Sequence, residues 1–262
     1  MSGDHEQEYD DELVYLLEAV WGEGYLSPGG PDEIERIVEG VDFSGKRVLD
    51  LGCGTGGISL FLAEKFAPAE VVGLDVDKSL TDRADVAAKE KGLAERTSFV
   101  FAEPGPLPFE EGEFDVVFSK DAMIHIADKE PLMAEVFRVL KPGGLIAACD
   151  WMSGSDGPHS DELKHYVELE DLGFGMASAA RYEKALAAAG FEEISTTDRN
   201  AWYRDMVAQE CEALAGPLYD DLVEKTSKEF VDHELDVWNA LKVVVDSGEL
   251  RPTHMRARKP LA

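Results

Sequence analysis

Between Lys46 and Trp151 the chain alternates two patterns. Short apolar runs, "KRVLDL", "EVVGLDVD", "TSFVFAE", "EFDVVFS" and "LIAACDW", are interleaved with amphipathic stretches such as "ISLFLAEKF", "SLTDRADVAAKEKG" and "KEPLMAEVFRVL". Apolar runs this continuous fit strands buried on both faces. Strands alternating with helices imply a mostly parallel sheet covered by helices, the doubly wound α/β class. In such a sheet ligands gather beyond the carboxyl ends of the strands. With 262 residues and 44% hydrophobic content, the chain has enough apolar surface for one large core.

The flanks differ. "DDELVYLLEAVWG" places Leu13, Leu16, Leu17 and Val20 at helical spacing, "GEGYLSPGG" breaks it, and "PDEIERIVEG" starts a second helix with proline and early acids. Beyond Trp151, helices near Asp161–Glu170 and Ala179–Ala189 precede a strand "FEEISTTD". Asn200 to Ser247 reads as mostly helical, and "THMRARKP" as a last edge strand. The expected organisation is a single domain: lid helices in 1–40, a core in 41–199, a helical cap in 200–250 inserted before the last strand, and a final edge strand in 251–262.

Net charge is −29, from 54 acidic against 25 basic residues. This disfavours a grip on nucleic acid or on an anionic membrane, both of which need basic patches. No apolar run reaches the ~20 residues that span a bilayer. Cys53, Cys149 and Cys211 are odd in number and widely spaced, which implies neither a disulfide framework nor a metal site. The acidic start "MSGDHEQEYDDE" does not read as a leader, and a cytoplasmic location is expected.

The turn after the first strand, "DLGCGTGG", carries Asp50, Gly52, Gly54 and Gly56 at alternate positions. Glycines permit positive φ and close approach of a ligand to the main chain, and the following helix aims its N–H groups at that ligand. Gly52, Gly54 and Gly57 also satisfy the dinucleotide pattern G-x-G-x-x-G, so a nicotinamide-dependent dehydrogenase is the rival enzyme reading. Asp75 closes the second strand, where a carboxylate accepts hydrogen bonds from ribose hydroxyls of either cofactor. Together, "VLDLGCGTGG", "GLDVD", "LPFEEGEFDVVFS" and "LKPGG" resemble the class I S-adenosylmethionine-dependent methyltransferases over roughly Lys46 to Trp151. The resemblance implies a Rossmann-like fold of seven strands, with S-adenosyl-L-methionine as cofactor and S-adenosyl-L-homocysteine as product. Asp50, Gly52, Gly54 and Gly56 would surround the methionine portion, Asp75 the ribose, and Val76 the adenine. Glu103 would meet the adenine amine from a position where the family usually has aspartate. "LKPGG", Leu140 to Gly144, reads as a tight turn before the fifth strand.

The stretch "FSKDAMIHI" follows the fourth strand with Ser119, Lys120, Asp121 and His125. A spacing of four would put Asp121 and His125 on one helical face. An amine must shed a proton before it attacks a methyl group, which an imidazole can take, while a carboxylate orients the amine. With "WGEGYLSPGG" and "EYDDE", this stretch resembles the phosphoethanolamine N-methyltransferases. That likeness implies Tyr9 and His125 as a catalytic latch and Asp121 holding the amine. It further implies Tyr25, Leu26 and Ser27 covering the cofactor, with Ser119 and Lys120 beside it. Phosphate recognition departs from the family. Trp151, Glu170 and Leu172 stand where phosphate-binding residues would fall, and Leu241, with Lys242 one step away, stands at a lysine. A carboxylate there repels a dianion. The expected acceptor is therefore a small neutral or cationic amine among Trp151, Tyr166, Glu170 and Trp238, with Trp202 and Tyr203 as further aromatic candidates. Alternatively Arg181, Arg199 and Arg204 would take an acceptor's carboxylate. An oxygen, sulfur or carbon acceptor, phosphoethanolamine itself, and a non-catalytic cofactor-binding protein stay open, as does oligomeric state. No metal is called for.

Overall fold

In the computed structural model, which describes residues 9–261, helices α1 (Asp11–Trp21) and α2 (Gly30–Ile37) precede the alternating region. That region comprises β1 (Arg47–Leu51), α3 (Gly57–Lys65), β2 (Glu70–Asp75), α4 (Lys78–Glu90), β3 (Thr97–Phe101), β4 (Phe114–Lys120), α5 (Lys129–Val139) and β5 (Leu140–Ser153). Next come α6 (Asp161–Glu170), α7 (Ala179–Ala189) and β6 (Glu192–Asp198). The chain closes with α8 (Asn200–Leu214), α9 (Tyr219–Lys225), α10 (Lys228–Ser247) and β7 (Leu250–Arg258). The strands form one seven-stranded sheet in the order β3-β2-β1-β4-β5-β7-β6. All pairings are parallel up to β5, and β7 runs antiparallel to both β5 and β6.

Alternation along the strands explains the continuous apolar runs. Val116 and Phe118 of β4 enter the cluster with Ile34, Ile37 and Leu62 from α2 and α3. Val117, pointing the other way, joins Leu132, Val136, Tyr182 and Leu186 from α5 and α7. Both faces are buried, and each such large apolar side chain contributes about 1.5–3 kcal/mol.

A third cluster lies off the sheet and is wholly helical up to Leu250: Leu16 and Leu17 of α1, Leu163 and Tyr166 of α6, Tyr203 and Val207 of α8, and Val237, Trp238 and Val244 of α10. The expected cap of 200–250 thus draws in α6, from the segment assigned to the core, and α1, from the lid. The last strand is not at an edge as expected. It pairs on both sides, and β6, with mostly exposed residues, is the edge strand. "LKPGG" is likewise not a free turn before β5. It is absorbed into the strand as a register shift against β4 between Phe114 and Val116, with Gly143 at φ 78°. Residues 1–8 of the expected lid, and residue 262, lie outside the described residues. Among the described residues no helix is long and apolar enough to cross a membrane.

Candidate active site

The glycine turn sits where β1 ends beside β2. Gly52 N and Cys53 N both donate to Leu74 O, at 2.8 and 3.0 Å, and Gly54 N donates to Asp75 Oδ2 at 2.8 Å. Gly52, Gly54 and Gly56 all have positive φ (79°, 51° and 85°), which a side chain would oppose. Asp75 accepts a further bond from Asp77 N at 3.0 Å. Burial raises its pKa against the pull of these N–H groups. The N-terminal loop docks on this turn: Thr55 Oγ1 donates to Gly24 O, and a Cβ on Gly57 would meet that oxygen at 2.1 Å. A cavity of about 180 Å³ opens here, lined by Leu26, Ser27, Gly52, Gly54, Asp75, Val76 and Lys120 among others.

Not every residue expected at this cavity reaches it. Asp50 lies beneath the turn, 1% exposed, accepting a 2.6 Å bond from Ser59 Oγ, and burial pushes its pKa up to about 7. Gly56 is a packing position, where a Cβ would come within 2.7 Å of Ala84 and 3.0 Å of Phe99. Ser119 ties β4 to β1 through a 2.7 Å bond from Oγ to Leu51 O. Tyr25 packs into the α2–α3 cluster, and Glu103 is exposed on the loop past β3. None of these five lines the cavity. Val76 does, and at 55% exposure it is a large apolar side chain held open to solvent beside Asp75.

The exit from β4 is not the helical face that the spacing suggested. Asp121 has φ 55° while its N–H still donates to Cys149 O on β5, and the chain then makes one 3-10 turn, Met123–His125. Aspartate tolerates this left-handed conformation better than most residues. The bend nevertheless brings Asp121 and His125 to a common wall. Lys120, itself buried, pairs with Asp121 Oδ2, and Asp121 Oδ1 has no hydrogen-bond partner among the described residues. From behind, Asp150 Oδ1 accepts from Ile124 N at 3.1 Å, while Tyr182 OH donates to Asp150 Oδ2. Lys129 Nζ donates to Met123 O and Ile126 O, both at 2.6 Å. Burial pushes Asp150 up to about 7 and Lys129 down to about 8. Lys129→Met would strand two carbonyls and deprive Asp150 of its neighbouring cation. Chemical denaturation should show a loss of about 2–4 kcal/mol. An unchanged midpoint would mean the turn holds itself.

A second cavity, of about 80 Å³, adjoins the first. Tyr9, Leu26, Ser27, Asp121 and His125 line both. Besides aliphatic residues, the second wall carries a ring of aromatics, Trp21, Trp151, Tyr166, Phe174, Tyr203 and Trp238, and two acids, Glu170 and Glu234. Rings interlock here, with Trp151 edge-on to Tyr203 at 4.8 Å and Phe174 5.5 Å from the His125 ring. Glu210 fixes three of them, accepting from Trp21 Nε1 (2.8 Å), Tyr203 OH (2.9 Å) and Trp238 Nε1 (3.3 Å). Among the described residues no lysine or arginine lines this cavity. Leu172 and Leu241 line the cavity, whereas Lys242 pairs with Asp246 outside it, so a one-residue slip restores no cation. The three candidate arginines are also committed elsewhere, Arg181 to Glu130, Arg199 to Glu33 and Arg204 to Asp246, and Trp202 faces a different recess. Glu210, Glu234 and Phe174 were not anticipated. The two glutamates carried a signal, since each interrupts an otherwise apolar helical stripe: Tyr203–Val207–Glu210–Leu214 and Val231–Glu234–Trp238–Leu241.

The first cavity fits S-adenosylmethionine by its chemistry. It offers glycine main chain for close approach, a carboxylate at the end of β2 for hydroxyl groups, and an exposed valine for a flat ring. Its surplus of acids over its one lysine suits a cationic ligand. Comparison with known proteins agrees. A methyltransferase domain family model matches residues 42–216. Phosphoethanolamine N-methyltransferase 3 of Arabidopsis thaliana is 29% identical over 243 residues, 92% of this chain and 48% of the relative. The chain therefore spans about half the length of that curated relative. Haemonchus contortus phosphoethanolamine N-methyltransferase 2, solved with phosphomonomethylethanolamine and S-adenosylhomocysteine, superposes with a TM-score of 0.88. Identity is 24%, covering 97% of this chain and 59% of that one. A putative sarcosine dimethylglycine methyltransferase from Galdieria sulphuraria superposes at 0.84 with 22% identity, covering 97% and 98%. These two likenesses speak for the fold. With the family model matched across its alternating core, the chain belongs to the methyltransferase domain family and has the class I fold of the S-adenosylmethionine-dependent enzymes.

Proposed function

We propose that this chain methylates the nitrogen of a small, unphosphorylated amine. One observation carries the reading: a cavity built on the glycine turn and a small cavity rich in aromatic and acidic groups meet at Tyr9, Asp121 and His125, and among the described residues no lysine or arginine lines the second. S-adenosylmethionine, when bound, supplies an electrophilic methyl group on a sulfonium. The chain's own residues do the rest. Asp121 Oδ1, without a hydrogen-bond partner among the described residues, accepts a hydrogen bond from the amine and aims its lone pair. His125 takes the proton that the amine must lose. Tyr9, Leu26 and Ser27 close over the junction from the N-terminal segment and exclude water.

The Arabidopsis and Haemonchus relatives are named for phosphoethanolamine. Here Trp151, Glu170, Leu172 and Leu241 line the acceptor cavity, and Glu170 is fixed there by a 2.6 Å hydrogen bond from Tyr166. A phosphate dianion brought beside it is repelled, and no counter-charge answers. The reading is tested by assaying formation of demethylated cofactor with a panel of amines. Phosphoethanolamine is expected to give a kcat/KM at least about 100-fold below the best unphosphorylated amine. Comparable efficiency for the phosphorylated compound would overturn it, as would methylation of alcohols or thiols alone.

A further inference from the structure

Among the described residues, buried carboxylates are, with one exception at the second cavity, supplied with protein partners. Glu33 accepts from both Arg199 and His254. Glu210 accepts from two tryptophans and a tyrosine, Asp150 from Tyr182 and a backbone N–H, and Asp50 from Ser59. Glu234 on α10 is 8% exposed, lines the second cavity, and makes no hydrogen bond or ion pair among the described residues. Its neighbours worsen its position. Glu170 faces it from α6 with Tyr166 donating to that carboxylate, and Asp10 adds a like charge from the start of α1. The field of His233 on α10 partly offsets the burial of Glu170. A carboxyl group taken out of water without a partner is held in its neutral form, and it ionises at little cost only when a cation joins it, so a positively charged ligand group is what this site can match.

That ligand group is not the reacting nitrogen. Asp121 and His125 line both cavities, at the junction, whereas Glu170 and Glu234 line only the second. Asp121 already has Lys120 as its counter-ion. The reacting nitrogen must also be neutral when it attacks, so it cannot serve as a lasting counter-charge. We propose that Glu234, with Glu170, holds a second nitrogen of the acceptor, one that stays protonated through the reaction, so that the substrate class is a short diamine or an amine bearing a distal ammonium. This rests on the N-methylation reading above and narrows it. The rings of Tyr166 and Trp238, which line the same cavity, offer π faces to the same charge. Burial and the fields of Glu170 and Asp10 push Glu234 up to about 8. An ammonium beside it reverses that shift, so the pair is poised to ionise as the cation enters.

The test is isothermal titration of the protein loaded with S-adenosylhomocysteine, using α,ω-diaminoalkanes from ethane to pentane against the matching n-alkylamines. At least one diamine is expected to bind roughly tenfold or more tighter than its monoamine. In Glu234→Gln that preference is expected to shrink to about twofold or less. Equal binding of diamines and monoamines across the wild-type series would overturn the proposal, and so would a preference that survives Glu234→Gln. The wild-type comparison decides even if the variant does not fold, and Glu170→Gln supplies a second variant. Diamine binding without methyl transfer would uphold this assignment while sinking the N-methylation reading. Methylation of monoamines as efficient as that of diamines would sink this assignment alone.

Discussion

His125→Ala is expected to lower kcat by about 10²- to 10⁴-fold, the range over which a positioned general base accelerates proton transfer. Affinity for S-adenosylmethionine should change by no more than about threefold, under roughly 0.7 kcal/mol. The split follows from position. His125 ends a 3-10 turn at the junction of the two cavities, while the main-chain contacts available to the cofactor come from the glycine turn and Asp75, on other elements. The turn carrying His125 is held by Asp150 and Lys129 through backbone groups, so removing the imidazole leaves its scaffold in place. Steady-state kinetics with a good amine acceptor, beside calorimetry with the cofactor, gives both numbers. If the two losses are equal, His125 serves binding or folding and the base lies elsewhere. His125→Gln preserves a polar group without a titratable nitrogen. It should be nearly as slow as the alanine variant if proton removal is the role, and substantially active if the imidazole only orients the amine.

The parts of this arrangement that were legible in the sequence share a local cause. Strands β1, β2 and β4 are buried on both faces, so they appear as unbroken apolar runs, and the turns that follow them carry glycine or acid for reasons contained within a few residues. The docking of Gly24 against Gly57, which brings the N-terminal segment to the site, carried no local signal, and the resemblance implied only that Tyr25, Leu26 and Ser27 cover the cofactor. Misplacements arose where the outcome depends on what packs behind. Asp50 sits beneath the turn because Ser59, nine residues on in α3, takes its carboxylate. Tyr25 turns into the α2–α3 cluster, and Glu103 stays in solvent because β3 ends at Phe101. The second cavity was the least legible part. Its walls come from α1, α6, α8 and α10, which meet only in the folded chain, and a helical pattern fixes a face without naming the partner. A glutamate on an apolar stripe, as at Glu210 and Glu234, is the feature that marks such a cavity before a structure exists. Burial of an acid has to be answered by donors or by a ligand, and here Glu210 has donors and Glu234 has none among the described residues.

Gly52→Ala is expected to abolish measurable cofactor binding, weakening it by more than about 100-fold, and to disturb the catalytic wall with it. An added Cβ at Gly52 would lie 2.1 Å from the Cβ of Ala122, far inside contact distance, and the residue sits at φ 79°. Two segments would have to part. One is the glycine turn, tied to β2 through Leu74 O. The other is the bend between Asp121 and His125. Either movement displaces something essential, because this is the point at which the cofactor loop and the acceptor residues touch. Gly54→Ala is a gentler change. Its Cβ would meet the flexible end of Leu26 at 3.0 Å, and φ 51° is within reach of alanine at a cost of about 1–2 kcal/mol. The overlap at Gly52 has a specific remedy. Ala122→Gly removes the opposing methyl group and leaves only the Ala122 Cα, at an ordinary 3.6 Å. The double variant Gly52→Ala/Ala122→Gly should therefore recover most of the lost affinity, short of the wild type by the backbone cost of about 1–2 kcal/mol. Calorimetry on the two single variants and the double variant gives the coupling directly. Additive losses would mean that the two segments do not press on each other. Normal binding by Gly52→Ala would mean that the turn is looser than its hydrogen bonds to Leu74 O imply.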